Sequence, residues 1–139
     1  MLIVKTKIGQ SHIEGIGLFA DQFIPKGTVT WKFDPRFDLY FDSSEVQKMP
    51  DLQKDFIVHF AYLSKKSGKY VYSIDNTRFT NHSTNPNIVE DEKLSEGDAE
   101  ICTIAIRDIQ IGEEMTIDYR AIDAVDEESN NEYLKAVVS

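Results

Sequence analysis

Residues 78–87 read R-F-T-N-H-S-T-N-P-N, and no regular element accommodates that composition. Three asparagines, a histidine, a serine and a proline fall within the stretch. Such side chains offer the backbone hydrogen bonds that compete with a helix or a ladder. Proline also lacks the amide proton that a central strand donates. The chain must therefore fold around a shaped, non-repeating loop. From the residues alone, that loop reads equally as a surface run of turn formers or as a preorganised set of amide and backbone groups facing a ligand.

On either side of the loop the pattern is mostly that of short strands. Leu2-Ile-Val is apolar and β-branched and predicts a first strand. Gly17-Leu-Phe-Ala predicts another, followed by the turn signature Phe23-Ile-Pro-Lys-Gly. Residues 28–33 alternate, placing Val29, Trp31 and Phe33 on one face. The period then changes. Leu52, Phe56, Phe60 and Leu63 are spaced by four, four and three, the stripe of an amphipathic helix. Pro50 and Asp51 mark its start and Gly68 its stop. His59 lies within it and reads as a core or surface histidine, since no second histidine stands at ligand spacing. Further strands are expected at 70–74, 100–107 and 115–119, the last with Met115, Ile117 and Tyr119 on one face. The tail is polar and acidic up to Tyr133-Leu-Lys-Ala-Val-Val, a candidate short docking helix. The expectation is a mostly β chain of several small sheets with one main helix.

Composition narrows the function classes. The 139 residues and 41% hydrophobic content suit one ordinary domain with a packed core. A net charge of −9 excludes tracking a phosphate backbone, which needs a basic stripe. It suits steering of a basic peptide, and equally plain solubility. Residues 90–100 carry six acids and one lysine, and residues 123–132 carry five acids and no base; each reads as a solvated loop or as part of that field. Cys102 is the sole cysteine, so neither an internal disulfide nor a cysteine-built zinc site is possible, and it reads as a small core residue. His12, His59 and His82 are too scattered for a metal site. No apolar run approaches the ~20 residues of a membrane span, and the first residues do not read as a signal peptide. A cytoplasmic, non-secreted protein is expected.

Two further clusters carry potential chemistry. Glu14-Gly-Ile-Gly17 is an ordinary turn or a place where backbone passes close to a ligand. It lacks the third glycine and following helix of a dinucleotide fingerprint. Gly112-Glu-Glu-Met-Thr-Ile-Asp-Tyr119 ends an alternating stretch on a tyrosine. No G-x-S-x-G elbow, P-loop or H-E-x-x-H is present.

Taken in order, the three clusters resemble the SET-domain lysine methyltransferases. The segments that carry the resemblance are G-I-G-L-F-A at 15–20, the complete R-F-x-N-H-S-x-x-P-N pattern at 78–87, and G-E-E-M-T-I-D-Y at 112–119, where Met115 replaces the usual leucine. The resemblance implies a β-clip-like SET fold in which a C-terminal pseudoknot packs beside the N-H-S motif. It implies one domain over 1–139, with a core at about 8–120 and a tail at 121–139 closing a lysine channel through Tyr133 and Leu134. The implied activity is transfer of a methyl group from S-adenosylmethionine to a lysine of a basic protein or peptide, with neither membrane nor direct nucleic-acid binding. A module of the same fold that binds cofactor or a basic peptide without turnover is the alternative.

Residue by residue, the resemblance assigns the backbone of Glu14, Gly15 and Ile16 to cofactor contact. Asn81 would hydrogen-bond the cofactor's methionine end, and His82 would meet its adenine through the backbone. Tyr119 is the implied catalytic residue. Tyr70, Tyr72 and Tyr133 are candidate channel walls, suited to a methylated cation through cation–π contact. Many family members place a cysteine after N-H-S and three more after the tyrosine to bind zinc. Here Thr84 follows Ser83 and the tail has no cysteine, so no zinc is expected.

Overall fold

The computed structural model describes residues 1–123. Its strands are β1 (Thr6–Gln10), β2 (Ile16–Ala20), β3 (Val29–Trp31), β4 (Asp38–Phe41), β5 (Tyr62–Leu63), β6 (Tyr70–Ser73), β7 (Asn81–His82), β8 (Ile88–Asp91), β9 (Cys102–Ala105) and β10 (Thr116–Ile117). Helices are α1 (Ser43–Gln47), α2 (Asp51–Phe60) and α3 (Tyr119–Ile122), with a 3₁₀ turn over Asn76–Phe79. The strands form four small sheets: β1-β2, β3-β9-β8, β4-β6-β5 and β7-β10. All pairings are antiparallel except β7 with β10. This is the mostly β, multi-sheet architecture with one main helix that the sequence predicts.

The individual elements differ from the sequence reading in instructive ways. Leu2 makes only an isolated bridge to Trp31, and the first strand begins at Thr6. That strand is fixed by pairing with β2, Gly9 opposite Gly17, rather than by its own apolar content. The alternation over 28–33 breaks at a bulge between Val29 and Trp31, where Thr30 and Trp31 are both buried. The Thr30 and Thr103 hydroxyls, 2.8 Å apart, explain why a polar residue sits inside.

Helix α2 starts directly after Pro50 but ends at Phe60, where Ala61 turns extended. Leu63 belongs to β5, and Gly68 (φ +70°) shapes the tight turn that leads into β6. The buried contact of α2 is Ile57, packed with Val46, Ala61 and Tyr70, while Leu52 is 85% exposed. Phe56 and Phe60 form an aromatic row with Tyr72 and Phe79 instead of a core stripe. A second cluster, Leu18, Ala20, Ile24, Ile88, Ala105, Ile109, Met115 and Ile117, holds the other sheets together. Cys102 is 2% exposed beside Ser95, a small core residue as expected. Among the described residues no helix is long and apolar enough to cross a membrane.

Candidate active site

The asparagine-rich loop and the G-E-E-M-T-I-D-Y segment are joined by a parallel pairing, Thr116 opposite Asn81 and Ile117 opposite His82. Two-residue strands hold only with help from side chains. Asn87, 1% exposed, supplies it: Nδ2 donates to the Glu114 carbonyl at 2.8 Å and Oδ1 accepts the Thr116 N–H at 2.9 Å. Its amide stands in for a strand neighbour. The Ser83 N–H extends the tie to the Ile117 carbonyl at 3.0 Å. The same C-terminal segment runs along β2, the Met115 N–H donating to Leu18 and the Ala20 N–H to Glu113. All three sequence clusters thus meet, with the last lying between the other two.

Tyr119 does not finish a strand, as its alternation predicts, but opens α3. Asp118 caps that helix, accepting the Arg120 N–H, and Arg120 also grips the carboxylate through two side-chain nitrogens at 3.0 and 2.7 Å. The Arg120 contact holds the Asp118 carboxyl below the usual carboxylate range. The turn swings the Tyr119 ring against His82, centroids 5.3 Å apart. The Tyr119 N–H donates to His82 Nδ1 at 3.0 Å, so the buried imidazole positions the tyrosine backbone. The Tyr119 hydroxyl donates to the Thr80 carbonyl at 2.5 Å. With its only proton committed there, the phenol oxygen offers the site lone pairs alone.

Asn81 spends its amide nitrogen on the protein. Nδ2 donates to the carbonyls of Glu14 and Ile16 at 3.1 and 3.3 Å and to Glu114 Oε2 at 3.1 Å. It therefore fixes the Glu14–Gly15–Ile16 backbone and leaves Oδ1 as its free polar atom toward a ligand. Gly15 adopts φ +47°, which a larger residue rarely does. Gly17 is required for a different reason. A Cβ there would lie 2.8 Å from the Glu114 carboxylate, which Ser11 also holds at 2.8 and 2.9 Å.

Asn81, His82, Tyr119 and the 14–16 backbone all line one cavity of about 850 Å³. Members of both hydrophobic clusters, such as Leu18, Ile117 and Ala61, contribute to its walls. Thr77 Oγ1 and Arg78 Nε are buried without a hydrogen-bond partner, and both residues line it. Unpaired buried polar atoms are uncommon and point to a missing partner with oxygen acceptors. The Arg78 guanidinium stands over the Phe79 and Phe60 rings and donates to the Tyr72 hydroxyl at 2.6 Å.

Tyr70 and Tyr72, expected as channel walls, do not line this cavity. The two-residue period of β6 turns them toward α2, where Tyr70 is 4% exposed, and turns Val71 and Ser73 to the cavity. Tyr133 and Leu134 lie outside the described residues. Among the cavity residues that were not singled out as site residues from the sequence are Tyr62 and Glu90. Burial first, then Glu100 and Glu90, pushes the Tyr62 hydroxyl well above its usual range. Burial first, then Glu100, pushes the Glu90 carboxyl up to about 7. Glu100 is 2% exposed and accepts hydrogen bonds from Tyr40 at 2.9 Å and Ser64 at 2.6 Å. Neither acid is thus part of a solvated loop, and Glu100 is tied into the fold. The readable signal was alternation: Ile88 faces the cavity from β8, and Glu90 follows it by one period.

The family model described as SET domain matches residues 15–120. An H3 lysine-36-specific histone-lysine N-methyltransferase of Schizosaccharomyces pombe is 28% identical over 118 residues, 83% of this chain and 14% of that protein. A histone-lysine N-methyltransferase of Arabidopsis thaliana is 35% identical over 74 residues, 53% of this chain and 13% of that protein. The chain thus spans a small part of the curated relatives it matches. Among solved structures, a proposed Plasmodium falciparum histone methyltransferase aligns with a TM-score of 0.56 at 19% identity, covering 82% of this chain and 91% of that one. An inhibitor-bound mutant of the Chaetomium thermophilum Polycomb Repressive Complex 2 aligns with a TM-score of 0.63 at 23% identity, covering 89% of this chain and 16% of that one. Both structural likenesses speak to the fold.

Proposed function

This chain belongs to the SET domain family, and on that premise we propose that it methylates a lysine side chain of a basic protein, with S-adenosylmethionine as donor. The observation that carries the reading is the convergence of Asn81, His82 and Tyr119 on one cavity although they are distant in sequence. The curated relatives' names supply histones as the first substrates to try. The same reading takes the chain as one SET domain, with a core at about 8–120 and a tail that closes the channel, working inside the cell.

The residues present fit the donor. The cavity is large and mainly apolar, Gly15 keeps a backbone edge open, and Thr77 Oγ1 and Arg78 Nε await acceptors. The backbone of Glu14–Ile16, Asn81 Oδ1, the His82 backbone and Arg78 would hold it. When bound, it supplies an electrophilic methyl carbon on a cationic sulfur. The protein's own part is alignment and desolvation. Tyr119 accepts an N–H of the substrate amine through a hydroxyl whose proton is held by Thr80, and so aims the nitrogen lone pair without a proton of its own to give. His82 and the Asp118 cap hold Tyr119 in place from the backbone side. Apolar walls disfavour the ammonium form of a lysine within them, lowering its pKa toward the reactive amine.

The test is incubation with methyl-labelled S-adenosylmethionine and histones or a whole-cell extract, with donor binding measured in parallel. Label on a lysine is expected. Saturable donor binding without transfer to any lysine leaves a binding module and removes the enzyme.

A further inference from the structure

Four acidic residues line the cavity, Glu14, Asp55, Glu90 and Asp123, and Glu90 is the one carried by a β-strand. Glu90 sits on β8, which pairs with β9 in register Glu90 opposite Thr103, so it stands on a sheet and not on a flexible loop. It lines the same cavity as Asn81 and Tyr119. No described side chain donates a hydrogen bond to its carboxylate or pairs with it within ion-pair distance, whereas the neighbouring Glu100 is occupied by Tyr40 and Ser64. A half-buried carboxylate facing an apolar cavity is costly to keep charged unless a cation joins it. The ligand it suits is therefore cationic and enters the cavity.

We propose that Glu90 is the counter-charge that receives the ε-ammonium group of the substrate lysine in the cavity it shares with Asn81 and Tyr119. The inference rests on the methyltransferase reading for the identity of the cation, and on the placement of Glu90 for the rest. Glu90 is a substrate-positioning residue in this account. It draws the lysine in as a cation; the ammonium then gives up its proton to solvent, and alignment of the resulting amine is left to Tyr119.

The charges around Glu90 come from several elements: Glu100 before β9, Glu92 after β8, Lys65 in the turn after β5, and Tyr62 on β5. Lys65 is exposed and donates to the Arg120 carbonyl at 3.0 Å, so it draws Glu90 down only partly. Glu100 opposes ionisation of Glu90. The free site is therefore protonated at Glu90 in mildly acidic solution and ionised in mildly alkaline solution. An ammonium ion binds only the ionised form well. Lysine affinity must rise with pH, by about tenfold between pH 6 and pH 8 for one carboxylate titrating midway.

The probe is a fluorescently labelled basic peptide with a single lysine, its lysine-to-norleucine counterpart, and saturating S-adenosylhomocysteine, read by anisotropy from about pH 6 to pH 8. Wild type is expected to bind the lysine peptide about tenfold more tightly at the upper end and the norleucine peptide without that rise. Glu90→Gln is expected to hold the lysine peptide at the wild type's low-pH affinity throughout. Glu90→Asp, which keeps a carboxylate, is expected to retain a rise. A pH rise that survives in Glu90→Gln, or its absence from the wild type, overturns the assignment. Turnover measured separately on the same protein, with methyl-labelled S-adenosylmethionine in place of S-adenosylhomocysteine, separates the two readings: a wild type that binds lysine with the rise yet transfers no methyl group ends the methyltransferase proposal and leaves Glu90 as a cation receptor.

Discussion

Replacing Glu90 with glutamine removes one charge and almost no volume, so thermal stability against pH reads the cavity's electrostatics without any substrate. In the folded chain the Glu90 carboxyl moves from its usual 4.5 up to about 7, first through burial and then through Glu100. A carboxyl raised on folding binds more protons folded than unfolded between those two points. Stability therefore falls as pH climbs through that window, and the loss is complete above it. At about 1.4 kcal/mol per unit the shift corresponds to roughly 3 kcal/mol. Glu90 is only half-buried, and screening by solvent reduces this to about 1–2 kcal/mol. Glutamine cannot ionise and escapes the loss. Calorimetric melts of Glu90→Gln should match wild type near pH 5 and lie higher near pH 8 by roughly 3–8 °C, at constant ionic strength. Parallel melting curves across the whole range would show that the folded state does not resist the charge on Glu90, and the electrostatic reasoning would fail.

Tyr119→Phe removes the hydroxyl held by Thr80; turnover should fall by about 10²-fold or more while S-adenosylhomocysteine affinity, by calorimetry, stays within about twofold. Equal loss of both would make the tyrosine structural. Asn81→Ala frees the 14–16 backbone and removes the donor shared by the Glu14 and Ile16 carbonyls and Glu114, so it should weaken donor binding about tenfold and cost roughly 1–2 kcal/mol in a denaturant melt. Unchanged donor affinity would show that the loop does not need its anchor. Gly17→Ala drives a Cβ into the Glu114 carboxylate that Ser11 and Asn81 hold. It should destabilise by about 1–3 kcal/mol, and an unaltered melting temperature would mean Glu114 moves aside freely.

Much of the architecture could be read from local chemistry. The helix start at Pro50 and Asp51 and the strands around Gly17, Val71 and Thr103 all follow from residues next to one another in sequence. What could not be read are features that depend on partners far along the chain. Thr6–Gln10 is a strand because β2 lies beside it, and the Thr30 burial exists because Thr103 faces it. Leu52 fits the helical stripe and is nevertheless exposed, since Ile57, about 140° round the helix from it, is the residue that packs with Val46, Ala61 and Tyr70.

The site shows the same division. Asn81, His82 and Tyr119 could be named because a motif fixes residue types, yet what their atoms do required coordinates. The amide of Asn81 turns inward to the 14–16 backbone, and the His82 ring accepts from Tyr119, so both act by holding other groups. Cavity walls depend on which face of a strand is presented, and a single residue of phase reverses it. In β6 that phase sends Tyr70 and Tyr72 away and Val71 and Ser73 in; in β8 it sends Glu90 in among apolar neighbours. Aromatic content suggested the wrong face of β6, and charge suggested solvent for Glu90. The deciding quantity in both cases was parity, which groups Val71 with Ser73 on one face of β6 and Ile88 with Glu90 on one face of β8.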